Sequence, residues 1–214
     1  MKSVSILSAC AALVLATNLT APAAAQQIEQ KTYLINGLAS AVPFIGYGFA
    51  NLQKKIPGAE LYSYFSPVEG STMIQPKIMS DIRKAWKRNR SVEINLIGIS
   101  YGANLITWMG AALEKEGISI SYMGVVDGLP LGDVTPNVRR VDNFTCNAIG
   151  CLRDKVRLAK GNTNTIVNAF EFPITHIAMG DQKDVHQRIL HQITTLPMDV
   201  MSPALDLGYT ASTN

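Results

Sequence analysis

Short β-rich runs alternate along this chain with longer stretches of helical spacing, and turn residues separate them. Thr32 to Ile35 reads as a strand that ends at Asn36-Gly37, and a helix over Gly48 to Lys55 stops at Pro57-Gly58. Glu60 to Phe65 reads as a second strand. Thr72 to Lys87 has helical spacing, with Ile74, Ile78, Ile82 and Ala85 on one side. Val92 to Ile97 is short and mostly apolar, as a strand buried on both faces should be. A helix over Ala103 to Glu116, closed by Gly117, follows it. Ser119 to Val126, Val138 to Phe144 and Thr165 to Phe172 read as further strands, and Asp184 to Leu196 as the closing helix. No repeat or long linker interrupts the series. Such β-α alternation predicts an α/β fold, a mainly parallel sheet with helices on both faces.

The two ends depart from this pattern. Lys2, the apolar stretch Ile6 to Leu15 and the small residues Ala21-Pro22-Ala23-Ala24-Ala25 together read as a signal peptide over residues 1–25, cleaved before Gln26. The apolar stretch is well short of the roughly 20 residues that span a bilayer, which argues against an anchor. Leu7-Ser8-Ala9-Cys10 faintly resembles a lipoprotein box, but the apolar stretch lies mostly after Cys10. Residues 26–200 are expected to form one domain, and 201–214 a loosely ordered tail. A periplasmic or secreted product without stable membrane insertion follows.

The net charge of +3 falls to +2 once Lys2 is removed, too weak a bias to imply nucleic acid. Arg83, Lys84, Lys87, Arg88 and Arg90 cluster around Trp86, and a solvated helix face accounts for them as well as an anionic partner does. In an exported chain, Cys146 and Cys151 are expected to form a disulfide, with two free thiols as the alternative. Neither their spacing nor the neighbouring histidines suggests zinc.

Gly98-Ile99-Ser100-Tyr101-Gly102 matches G-x-S-x-G. Its context carries more weight than its composition: it directly follows one predicted strand and directly opens a helix. A turn that sharp strains the backbone at Ser100 and projects its hydroxyl at the sheet edge as a nucleophile. Of His176, His186 and His191, His176 lies just beyond the last predicted strand, where a loop can bring it to Ser100 as general base. His186 and His191 fall within the closing helix. Asp127, at the end of its strand and before Gly128-Leu129-Pro130, is the candidate acid, with Asp133 and Asp142 as competitors. The backbone amides of Tyr101 and Leu38 are the candidate oxyanion donors, Gly37 allowing close approach. Val42 to Phe49 could line an acyl pocket or pack in the core.

Assembled, these residues resemble the thioesterase-like and lipase-like branch of the α/β-hydrolase superfamily. The likeness runs from about Lys31 to Leu196. It rests on Tyr33-Leu34-Ile35-Asn36-Gly37-Leu38, on Gly98-Ile99-Ser100-Tyr101-Gly102-Ala103-Asn104, on Val125-Val126-Asp127-Gly128 and on Pro173-Ile174-Thr175-His176. Many relatives carry His where this chain has Asn36 and Ile99, and most place the acid one strand later than Asp127. No insertion is large enough for a lid domain, as in small cutinase-like esterases. The resemblance implies a single-domain α/β-hydrolase fold and a serine esterase that acts on a small-molecule or lipid ester (or thioester) through an acyl-enzyme. That chemistry calls for no metal or organic cofactor. Acyl transfer to an alcohol and a non-catalytic envelope protein on the same scaffold are the alternatives.

Overall fold

The computed structural model describes residues 28–38, 40 and 48–194. The expected signal peptide and the 201–214 tail lie outside the described residues, as do positions 42–47 of the candidate acyl-pocket segment. Strand β1 (Gln30–Ile35) leads to helix α1 (Ala50–Gln53) and strand β2 (Glu60–Tyr62). Helix α2 (Pro67–Glu69), a π-helical turn (Gly70–Ile74) and helix α3 (Gln75–Arg88) then form one continuous helical span. Strand β3 (Glu93–Ile99), helix α4 (Tyr101–Glu114) and strands β4 (Tyr122–Val126), β5 (Arg140–Cys146) and β6 (Ile166–Phe172) follow. Helices α5 (His176–Met179) and α6 (Lys183–Thr194) complete the described chain.

The six strands make one sheet in the order β2-β1-β3-β4-β5-β6, parallel throughout. Alternation along each strand sends side chains to two cores. Tyr33, Ile94, Leu96, Met123, Val125 and Val141 pack with α3 and α4 on one face. Leu34, Ile97, Tyr122, Val126, Phe144 and Phe172 pack with α1 and α6 on the other. Helices therefore cover both faces, as expected for a buried parallel sheet. Among the described residues, no helix is long and apolar enough to cross a membrane.

Because the chain leaves β1 for β2 on one side and adds β4, β5 and β6 on the other, its direction reverses between β1 and β3. Such a switch point opens a crevice at the carboxyl ends of the two strands. Asn36 and Ser100 stand there, since Ile35 pairs with Gly98.

Several boundaries differ from the pattern-based expectation. The helix predicted from Thr72 begins at Pro67, because Ser66 Oγ caps Glu69 N–H at 3.2 Å and the Glu69 carboxylate accepts from Phe65 N–H at 2.7 Å. Strand β2 ends at Tyr62 rather than Phe65 for the same reason. The helix after the G-x-S-x-G turn begins at Tyr101, two residues earlier than expected. Phe49, placed in a possible acyl pocket, is fully buried in the core beside α6. The basic cluster is a helix face with local partners: Arg83 pairs with Glu116 at 2.7 Å, Arg88 with Glu29, and Arg90 stacks on Trp86 at 5.5 Å. Cys146 and Cys151 are joined in a disulfide.

Candidate active site

Ser100 sits between β3 and α4 with φ 58° and ψ −125°, a backbone conformation that non-glycine residues rarely adopt. Close packing around the turn forces it. A Cβ on Gly98 would lie 2.3 Å from the Gly102 carbonyl oxygen, and one on Gly102 would lie 2.2 Å from the Ile35 carbonyl oxygen. Only glycines let the strand, the turn and the first turn of α4 approach this closely. The Ser100 side chain makes no capping hydrogen bond to α4, so its hydroxyl is not used to close the helix. Tyr101 starts that helix wedged edge-on between Tyr64 and Trp108, with ring centroids 6.2 and 5.9 Å away.

Beyond β1, the backbone at Gly37 comes so near that a Cβ there would be 2.8 Å from Ser100 Cβ. Leu38 follows at once and is partly exposed. A cavity of about 170 Å³ opens over this point, and Asn36, Gly37, Leu38, Ser100, His176 and Ile177 all line it. The serine, the loop after β1 and the histidine thus share one pocket. His176 was expected in a loop; it is instead the first residue of the short helix α5.

Asp127, just past the end of β4, is fully buried, and its Oδ2 lies 2.6 Å from His176 Nδ1. Its φ of 37° is also in the left-handed region. Two backbone groups hold the carboxylate: Leu152 N–H donates to Oδ2 at 3.1 Å and Arg153 N–H to Oδ1 at 3.0 Å. Burial pushes the carboxyl up, but the hydrogen bonds from His176, Arg153 and Leu152 outweigh it and leave its pKa below the ordinary value. An ionised carboxylate can only accept, so His176 Nδ1 carries a proton, and in the neutral ring the lone pair is then on Nε2. That tautomer is the one a general base toward Ser100 requires.

The competing carboxylates lie elsewhere. Asp133 is exposed and 3.4 Å from Arg157. Asp142 is buried inside β5 and bonded to Arg188 at 2.9 Å. His186 is buried beneath α5, with Nε2 2.8 Å from the Gly180 carbonyl oxygen. Burial, chiefly, lowers its pKa. His191 belongs to α6.

Sequence reasoning missed Leu152 and Arg153. Both act through backbone amides, which no residue-type pattern marks. Arg153 has φ 61°, and with Ser100 and Asp127 it completes the set of non-glycine residues at positive φ among those described. All three belong to this site, where strained backbone is held by the surrounding fold. The segment that carries these amides begins at the disulfide, and Cys146 Sγ lies 3.2 Å from Asp127 Oδ2. Bridged sulfurs carry no thiolate, so the grouping of Asp127 with the two cysteines is not a metal-binding set.

No protein-family model matches this sequence, and no curated protein matches it. Solved structures do match. The thioesterase domain that cyclises the lipopeptide antibiotic surfactin aligns over 80% of this chain and 94% of its own, at 16% identity and a TM-score of 0.51. The thioesterase domain of the nocardicin cluster aligns over 78% and 95%, at 12% identity and a TM-score of 0.48. A protein assigned to the α/β superfamily of hydrolases, from Xanthomonas campestris pv. campestris, aligns over 78% and 99%, at 10% identity and a TM-score of 0.46. At such identities the likeness is one of fold. With its six-stranded parallel sheet covered by helices on both faces, the chain shares the α/β fold of the surfactin thioesterase domain.

Proposed function

We propose that this chain, an α/β-hydrolase by fold, is an exported serine hydrolase that cleaves carboxylic ester (or thioester) bonds. One observation carries the proposal: Ser100, on its strained turn, shares a pocket with His176, whose Nδ1 is tied to buried Asp127 at 2.6 Å. In the first step Ser100 Oγ attacks the carbonyl carbon while His176 Nε2 takes the hydroxyl proton. The carbonyl electron pair moves onto oxygen, and the amides of Tyr101 and Leu38 hold that oxyanion. As the C=O bond re-forms, the C–O (or C–S) bond breaks and His176 returns its proton to the leaving alcohol (or thiol). Water then attacks the acyl-enzyme with the same proton relay, releasing the acid and restoring Ser100. Asp127 keeps the imidazole in the productive tautomer and stabilises its cation in both steps.

Export over residues 1–25 rests on the pattern of Lys2, Ile6 to Leu15 and Ala21 to Ala25, and the Cys146–Cys151 bridge supports it. It also favours oxygen esters, because acyl-coenzyme A is a cytoplasmic pool. Residues 26–200 form the catalytic domain in this reading.

A fluorophosphonate probe on the oxidised protein, beside Ser100→Ala and His176→Ala, tests the mechanism. Labelling of the wild type that vanishes in both variants supports it, whereas a folded wild type that takes no label sinks it. Hydrolysis of p-nitrophenyl esters, run with and without competing alcohols, then separates hydrolysis from acyl transfer.

A further inference from the structure

The structure assigns Asn36 the role of a positioning residue that fixes the oxyanion loop against the nucleophile. This inference rests on the reading above, in which the Leu38 amide is an oxyanion donor. Asn36 stands where many relatives carry His, at the end of β1 and immediately before Gly37-Leu38. Its side chain is 3% exposed, and both ends of its amide are used. Oδ1 accepts from Phe49 N–H at 2.9 Å, and Nδ2 donates to Ser63 Oγ at 2.9 Å.

These two bonds tie three segments together. Phe49 lies 13 residues on, so the first bond draws the far end of the connection that leaves β1 back onto its beginning. The approach is close enough that a Cβ on Gly48, at φ +46°, would meet Asn36 Oδ1 at 2.0 Å. The second bond anchors the same amide to the segment after β2. A third contact reaches the histidine-bearing segment: a Cβ on Gly180, just past α5, would lie 3.0 Å from Gly48 Cα. Asn51, in α1, donates to Asp181 Oδ1 at 2.9 Å beside it. The chain on both sides of Leu38 is thereby registered against the base as well as the nucleophile.

The chemistry explains why a neutral group that both donates and accepts is required. The position must accept from a backbone N–H and donate to a hydroxyl while staying uncharged beside a developing oxyanion. Leucine does neither, and aspartate brings a negative charge to the site. An oxyanion donor must be held to within about half an ångström, and a shift of about 1 Å can cost on the order of 100-fold in rate.

The test compares wild type, Asn36→Ala and Ser63→Ala on a p-nitrophenyl ester, with amide hydrogen exchange read at Phe49 in each. Asn36→Ala is expected to lower kcat roughly 10- to 100-fold while KM changes far less, since the donor it positions acts on the oxyanion that forms in the transition state. Phe49 N–H should exchange faster. Ser63→Ala, which removes only the anchor, should lower kcat less and leave Phe49 protected. Unchanged kcat in folded Asn36→Ala with an active wild type overturns the positioning role alone. If Asn36→Ala does not fold, Ser63→Ala decides, and an unchanged kcat there overturns it equally. A wild type that neither hydrolyses esters nor takes a fluorophosphonate overturns the hydrolase reading, and the positioning role falls with it.

Discussion

Two fully buried aspartates, one within β5 and one just past the end of neighbouring β4, have different surroundings. Asp142 lies within β5, paired in register with Gly124, and its carboxylate meets Arg188, Tyr122 and Asn168. The Arg188 guanidinium also stacks on Phe170 at 5.3 Å. Every partner is a side chain of the sheet or of α6, so this ion pair fastens that helix to the sheet. Asp127 lies just beyond the end of β4, where its neighbours are the Leu152 and Arg153 amides, the Cys146 sulfur and His176. Depth and residue type are the same. What separates the structural carboxylate from the candidate catalytic one is its distance past the carboxyl edge of the sheet, where backbone amides after the disulfide and the first residue of α5 supply its partners.

Breaking each site should show the contrast. Asp127→Asn offers His176 Nδ1 an amide in place of a carboxylate and no longer enforces the productive tautomer. A fall of about 10⁴-fold in kcat is expected, with a loss of stability smaller than the one Asp142→Ala causes. Ester hydrolysis and calorimetry on the same preparation check both halves. Asp142→Ala should do the reverse. It leaves Arg188 buried and unpaired, which typically costs about 3–5 kcal/mol, while kcat of the folded fraction stays at the wild-type value. Denaturant unfolding read beside activity decides, and a variant that keeps its stability but loses activity would reverse the assignment.

The smallest effect separates the region around α5 from Asp127 by pH. Burial lowers the pKa of His186 below its ordinary 6.5, so the stability it contributes is complete above 6.5 and is lost as pH falls through the lower folded value. Hydrogen bonds hold the pKa of Asp127 below its ordinary 3.8, so its contribution is complete above 3.8 and fades only in stronger acid. Melting temperature followed against pH should therefore fall in two stages. His186→Gln should flatten the first stage and leave the second, whereas a variant that still shows both stages would exclude His186 as the source.

Much of the site was readable from local pattern. The turn at Ser100 is a local structure: an apolar strand, two glycines and a helix within a dozen residues allow few other conformations. The position of His176 past the last strand was legible too, although the short helix it opens was not, because four residues leave no periodicity to detect. The start of α2 was missed for a different reason. Ser66 and Glu69 carry a capping signal, but the apolar spacing that marks a helix begins only after them.

The place of Asp127 at a strand end made it the candidate acid, but the sequence left Asp133 and Asp142 open beside it. Asp127, Asp133 and Asp142 all sit near strand ends or in strands, and only one meets His176, which lies 49 residues from Asp127 in the chain. Side-chain alternation and β-α periodicity arise from the hydrophobic effect acting over one or two turns of chain, and they determined the α/β class, the strands and the turn that carries the candidate nucleophile. The pairing of Asp127 with His176, the amides of Leu152 and Arg153, and the bonds of Asn36 depend on contacts between residues 13 to 49 apart. Such contacts exist only after the sheet has set its strand order and register, and that was decided by the tertiary structure alone.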